Sequence, residues 1–155
     1  MAKEIERKFL VADDGWRSMV SEVHEIKQGY LSTRPEAVVR VRIKDREAFL
    51  TVKGITRGIE RHEWEYHIPV DDATLMLQNI EPSTVVISKT RHIVVYDGMC
   101  WEIDVFHGSH EGLVLAEIEL DSPEREVTLP PFVGPEVTRD PRYFNSVLSQ
   151  KTAER

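Results

Sequence analysis

The chain has a single cysteine, Cys100, among its 155 residues. One thiol excludes an internal disulfide and any cysteine-built metal site. No stretch approaches the roughly 20 apolar residues of a membrane span, and the opening MAKEIERKF lacks the apolar core of a secretory signal. The expectation is a soluble, cytoplasmic protein with no membrane partner. Positive charge is not in excess either, since 20 Lys and Arg stand against 27 Asp and Glu, a formal charge of −7. Such a molecule as a whole attracts neither nucleic acid nor anionic lipid, so any anion it binds must be met by a local basic cluster. The six histidines, His24, His62, His67, His92, His107 and His110, have no helical metal-ligand spacing. Internal repeats and low-complexity tracts are absent. What remains is the size of one domain, residues 1–155, with 41% hydrophobic residues, enough to bury a core without staples.

What the sequence does have is a period of two, over and over. In Glu4–Val11 (EIERKFLV), Glu4, Glu6 and Lys8 fall on one face and Ile5, Phe9 and Val11 on the other, with Arg7 interrupting the apolar side. Ala37–Lys44 (AVVRVRIK) sets Arg40, Arg42 and Lys44 against Val39, Val41 and Ile43, and the turn Asp45-Arg46 leads into EAFLTVKG, with Phe49, Thr51 and Lys53 on one face. Glu60–Ile68 (ERHEWEYHI) places Glu63 and Glu65 opposite Trp64 and Tyr66. Val85–Asp97 carries Lys89 and Arg91, Asp97-Gly98 reads as a hairpin turn, and MCWEIDVF sets Glu102 and Asp104 against Trp101, Ile103 and Val105. Leu113–Asp121 puts Glu117 and Glu119 opposite Ala116, Ile118 and Leu120. His24–Thr33 (HEIKQGYLST) is also strand-like, and Gly29 inside it signals a bulge or a close approach.

Helices are expected at three places. Trp16–Val23 would present Trp16, Met19, Val20 and Val23 on one side; a second helix would start with Asp71 or Asp72 as its N-cap and use Ala73, Leu75, Met76 and Ile80 as contacts. A third would run from about 141 to 150, with Asp140 as cap, Pro141 in the first turn, and Phe144, Val147 and Leu148 buried. A short strand is expected at Glu126–Leu129.

Eight strand candidates joined mostly by hairpins suggest a mainly β protein: a closed eight-stranded antiparallel barrel, a tunnel with a few helices packed outside. In an open sheet the charged faces would simply be wet. Closure instead turns them into a lumen lining, which is costly unless the charges have work to do. Closure is favoured because the apolar faces are too rich to leave in water and helices are available to cover them. The charged faces are also almost purely Lys/Arg or Glu/Asp. Arg and Lys suit phosphate oxygens, and carboxylates without His or Cys suit a hard cation such as Mg²⁺ or Mn²⁺. Together they describe a pocket for a small polyanion delivered with metal.

At these residues the chain resembles the CYTH superfamily, the triphosphate tunnel metalloenzymes. Its ExExK signature corresponds to Glu4, Glu6 and Lys8, and the resemblance extends in order through VVRVRIK, LTVKG, EWE, KTR, EID and EIE, nearly the whole chain. The resemblance implies a Mg²⁺- or Mn²⁺-dependent hydrolase that cleaves a triphosphate inside the tunnel, most simply inorganic triphosphate to phosphate and pyrophosphate. Glu4, Glu6 and Lys8 would be catalytic. Lys8, Arg40, Arg42, Lys53, Lys89 and Arg91 would hold phosphate oxygens. Glu4, Glu117 and Glu119 would hold the metal that bridges the triphosphate, with Glu6 near a second metal or the attacking water. Glu63, Glu65 and Asp104 would contact metal through water or orient the cations.

Rival readings are a thiamine triphosphatase, a nucleoside triphosphatase or a class IV adenylate cyclase, each needing room for an organic group. No long insertion offers a base pocket, and the cyclase-type histidine motif ahead of ExExK is missing, which favours the inorganic substrate. A non-catalytic polyphosphate-binding module and a purely structural barrel are the rivals outside the enzyme class. Cys100 is expected to be buried and inert, Arg7 to reach water past its apolar neighbours, and Tyr30 either to touch substrate or to pack. Both a monomer and a homodimer are open.

Overall fold

The computed structural model describes residues 3–151; the terminal residues of the predicted 1–155 span lie outside the described residues. Nine strands form one antiparallel sheet: β1 (Lys3–Val11), β2 (Val20–Arg34), β3 (Ala37–Lys44), β4 (Glu47–Lys53), β5 (Glu60–Ile68), β6 (Ile87–Tyr96), β7 (Met99–Phe106), β8 (Val114–Glu119) and β9 (Val133–Glu136). Their order is β5-β4-β3-β2-β6-β7-β8-β1-β9, and a further β5–β1 pairing closes the first eight into the expected barrel. Closure is short, joining Lys3, Glu4 and Ile5 to His62, Arg61 and Glu60. β9 lies on β1 beside this seam. Asp97 and Gly98 both have positive φ, the geometry a two-residue hairpin needs, and Asp45 does the same work between β3 and β4.

Alternation sorts the side chains as expected for a tunnel. Outside β1, β6, β7 and β8 lies the largest apolar cluster, with Ile5, Phe9, Val94, Trp101, Ile103, Ala116 and Ile118 buried under Trp16 and Phe132. Among the described residues no helix is long and apolar enough to cross a membrane. α1 (Val70–Leu77) covers Val41 and Ala48 through Ala73, Met76 and Leu77. Gly29 makes this close packing feasible, because a Cβ there would stand 2.7 Å from Ile80 and 3.0 Å from Leu77.

The covering elements differ from the sequence expectation. Only a 3-10 turn, Gly15–Met19, forms where a helix to Val23 was predicted, and β2 begins at Val20 because Val20 pairs with Val94 of β6. α1 starts after Pro69, leaving Asp71 and Asp72 in its first turn, where their charge complements the helix dipole; Leu75 points to solvent. The strand of the tail is β9, not 126–129. In place of one helix from about 141 to 150 there is a 3-10 turn, Pro141–Tyr143, then α2 (Asn145–Leu148), interrupted by the extended backbone of Phe144. Asp140 does cap the turn, its carboxylate accepting from the Arg142 amide at 3.1 Å. The outer side of β5 is not covered: Trp64 and Tyr66 are exposed. Arg7 forms a two-bond ion pair with Glu136 of β9, at 2.7 and 3.0 Å, instead of reaching free water. Cys100 is exposed rather than buried, since it shares the face of Glu102 at the strand end. Burial and the neighbouring Glu102 and Glu22 push its thiol pKa up, which keeps it a poor nucleophile.

Candidate active site

Strand register brings the charged faces together. Glu6 stands opposite Glu119 and Lys8 opposite Glu117 in the β1–β8 pair; Glu102 faces Glu117 across β7–β8, Arg91 faces Asp104 across β6–β7, and Lys53 faces Glu63 across β4–β5. Inside the barrel a cavity of about 200 Å³ is walled by Glu4, Glu6, Arg40, Arg42, Lys53, Glu63, Glu65, Arg91, Glu102, Glu117 and Glu119, with Lys44, Phe49 and Asn145. A second, of about 230 Å³, shares Glu4, Glu6, Lys53 and Asn145 with the first and adds Lys8, Tyr30, Val38, Ile59, Arg61, Arg139 and Phe144. The two abut at the shared residues. The apolar wall supplied by Tyr30, Val38, Ile59 and Phe144 is room for an organic group that the sequence did not reveal, because it is assembled from four distant segments.

Of the predicted site residues, only Lys89 and Asp104 do not reach either cavity wall. They lie beneath it. Asp104 accepts from Arg91 at 2.8 and 2.9 Å and pairs with Lys89 at 2.7 Å, all three buried. Burial alone would raise the Asp104 carboxyl, but Arg91 and Lys89 outweigh it and hold it far below the usual carboxylate range. The same burial pushes Lys89 down to about 8 against the pull of Asp104. Lys89 also lies 5.3 Å over the Phe106 ring and 3.4 Å from Asn145 Oδ1. Asp104 thus holds both Arg91 and Lys89 beneath the cavity wall.

Cations and carboxylates pair across strands. Lys53 binds Glu4 at 2.9 and 3.1 Å and Glu63 at 3.4 Å. Lys8 donates to the Tyr143 carbonyl at 2.8 Å and lies 3.4 Å from Glu117. Arg91 reaches Glu102 at 3.0 Å, and Arg40 lies 3.6 Å from Glu65, which accepts from Thr51 at 2.9 Å. Arg42 is the exception. Among the described residues no carboxylate pairs with it, and its guanidinium donates only to Gln28 Oε1, at 2.6 and 2.9 Å. Burial, then Arg40 and Arg91, push its pKa down to about 9.

The carboxylates are crowded in turn. Glu6 is pushed up to about 8, chiefly by burial and then by Glu117 and Glu4. Glu119 is raised by burial, Glu4 and Glu102, and Glu4 by burial despite Lys53. Glu117 goes the other way, to about 2, because Lys8 and the deeper cations overcome burial. Crowded, protonatable oxygens of this kind gain most when a hard divalent cation takes the place of the protons, so the donor set fits Mg²⁺ or Mn²⁺. Among the described residues no three such side chains already stand in ligating arrangement, and Lys53 occupies the Glu4 carboxylate. Sequence reasoning missed Gln28 and Asn145, which are neutral and carry no charge pattern, and gave no role to Glu102, although its pairing with Asp104 at i and i+2 was the available signal.

Comparison with known proteins places this geometry. The CYTH domain model matches residues 2–144. An inorganic triphosphatase of Acetivibrio thermocellus is 44% identical over 148 residues, covering 96% of this chain and 94% of that protein. An inorganic triphosphatase of Nitrosomonas europaea is 38% identical over 154 residues, covering 94% and 96%. The solved structure of the inorganic triphosphatase NE1496 superposes with a TM-score of 0.69 at 32% identity, covering 99% of each chain.

Proposed function

The chain belongs to the CYTH domain family, and on that premise we propose that it hydrolyses inorganic triphosphate to phosphate and pyrophosphate inside its tunnel, with Mg²⁺ or Mn²⁺. The observation that carries the reading is the charged cavity itself, where the uncompensated Arg42 stands in the same chamber as the facing carboxylates Glu6 and Glu119. Crowding like charges in a buried chamber is costly, and a ligand of both signs would relieve that cost.

Arg40, Arg42 and Arg91 hold phosphate oxygens in the charged cavity, Lys53 reaches them from the shared wall and Lys8 from the adjoining cavity. Glu4, Glu117 and Glu119 would hold the cation, and Glu4 would have to release Lys53 to do so. When bound, the cation would supply charge neutralisation and a lowered water pKa. Glu6, on the cavity wall opposite Glu119, positions the attacking water. Glu63 and Glu65 keep Lys53 and Arg40 aimed. Rigid strands hold Arg40, Arg42 and Arg91 in place before the substrate arrives, so little reorganisation is asked of these three.

Phosphate release from inorganic triphosphate, with and without Mg²⁺ or Mn²⁺, is the test. Glu4→Gln and Arg42→Ala should each lose activity by about 100-fold or more; wild-type turnover in both sinks the site assignment. The apolar wall of the second cavity favours one further reading, an organic triphosphate such as ATP or thiamine triphosphate, and turnover on all three substrates decides between them. Metal-dependent binding of triphosphate without phosphate release would instead make the tunnel a binding module.

A further inference from the structure

Gln28 lies on the inner face of β2, directly across from Arg42 in β3, and is fully buried. Because a guanidinium has only donors, the Gln28 atom that meets Arg42 Nε and the adjacent terminal nitrogen must be the side-chain carbonyl oxygen. Its Nε2 is left buried with no partner, which costs stability. Glutamate has the same shape, would accept both bonds as a charge-assisted pair, and would leave no orphaned donor. The barrel makes that choice elsewhere: Arg91 is held by Asp104 and Glu102. At Arg42 it does not.

We propose that Gln28 is a positioning residue that aims the Arg42 guanidinium with a neutral acceptor and so leaves its positive charge for the phosphate oxygens of the substrate. This rests on the triphosphatase reading above. A carboxylate at the same position would orient the guanidinium equally well but offset its charge, so that Arg42 would attract the substrate's phosphate oxygens less strongly. The unsatisfied Nε2 is the cost of keeping the acceptor uncharged.

The proposal is tested with Gln28→Glu and Gln28→Met in the full chain. Calorimetric titration with pyrophosphate in the presence of Mg²⁺ reads affinity without turnover, and thermal unfolding reads the fold. Gln28→Glu should weaken pyrophosphate binding and raise KM for triphosphate by about tenfold while Tm stays equal or rises. Gln28→Met, which aims nothing, should weaken binding as well. Acting through Arg42, the neutral Gln28→Met change should cause no further loss on an Arg42→Met background. Wild-type affinity in Gln28→Glu, or a full additional loss in the double variant, overturns the assignment; so does a Gln28→Met protein whose Tm falls while its affinity is unchanged, the pattern of a purely structural residue. Absence of triphosphate turnover in the wild type would overturn the reading beneath, whereas the pyrophosphate titration still decides the role of Gln28.

Discussion

A carboxyl group held above its ordinary pKa works against the fold as pH rises. Glu6 is pushed from an ordinary value of 4.5 to about 8 by burial, Glu117 and Glu4, so the folded protein binds a proton that the unfolded chain has released by neutrality. The contribution is fully present below pH 4.5 and lost progressively until about pH 8. Glu6→Gln cannot lose that proton. In a metal-free buffer its Tm should therefore match the wild type near pH 5 and exceed it by a margin that grows up to pH 8; parallel Tm profiles would contradict the crowding argument. Asp104 is the opposite case. Removing its charge in Asp104→Asn leaves Lys89 and Arg91 buried without their shared partner, a change that generally costs about 3–5 kcal/mol. Denaturant titration should register that loss even in the absence of any ligand, whereas a stability within 1 kcal/mol or so of the wild type would mean that water replaces the carboxylate.

Among the elements, β2 and α1 are joined at one atom's width. A side chain on Gly29 meets Ile80 and Leu77, so Gly29→Val should lower stability by about 1–3 kcal/mol through the outer face, with KM for triphosphate little changed; an intact denaturation midpoint would show that the segment after α1 shifts freely. The same region illustrates what the sequence carries about structure. Strands β3, β4, β7 and β8 were legible because their alternation of Val, Ile or Leu with Arg, Lys or Glu is local. The covering elements were not. Trp16–Val23 has a helical distribution of apolar residues, but Val20 is claimed by pairing with Val94 some seventy residues on, and no local signal reports such a partner. Residues 126–129 alternate without finding a neighbour, while Val133–Glu136, with Gly134 and Pro135, finds β1. The site divides in the same way. Which side chains face the lumen follows from each strand alone, whereas the trapping of Asp104 under Lys89 and Arg91, and the bond from Arg42 to Gln28, depend on register between strands.

For the molecule as a whole, the balance of charge inside the barrel sets the order in which ligands can enter. In the charged cavity five cations, Arg40, Arg42, Lys44, Lys53 and Arg91, stand against seven carboxylates, Glu4, Glu6, Glu63, Glu65, Glu102, Glu117 and Glu119, inside a chain of net charge −7. Even with Glu6 protonated, that interior does not favour a bare polyanion, and the salt bridges that occupy Lys53 and Lys8 must open before those amines can meet phosphate. On the proposed reading, a divalent cation held by Glu4 and Glu119 would free Lys53 and reverse the local sign, so each ligand should raise the affinity of the other by an equal factor. Thermal unfolding measures this directly, since a ligand that binds only the folded state raises Tm according to its concentration over Kd. Triphosphate in EDTA should shift Tm slightly, Mg²⁺ alone slightly, and the two together by more than the sum of the separate shifts. In Glu119→Gln the excess should vanish while the small metal-free triphosphate shift persists, because the basic wall around Arg42 is untouched. Equal triphosphate shifts in EDTA and in Mg²⁺ would mean that the cations alone hold the substrate and that the carboxylates serve only to keep them in place.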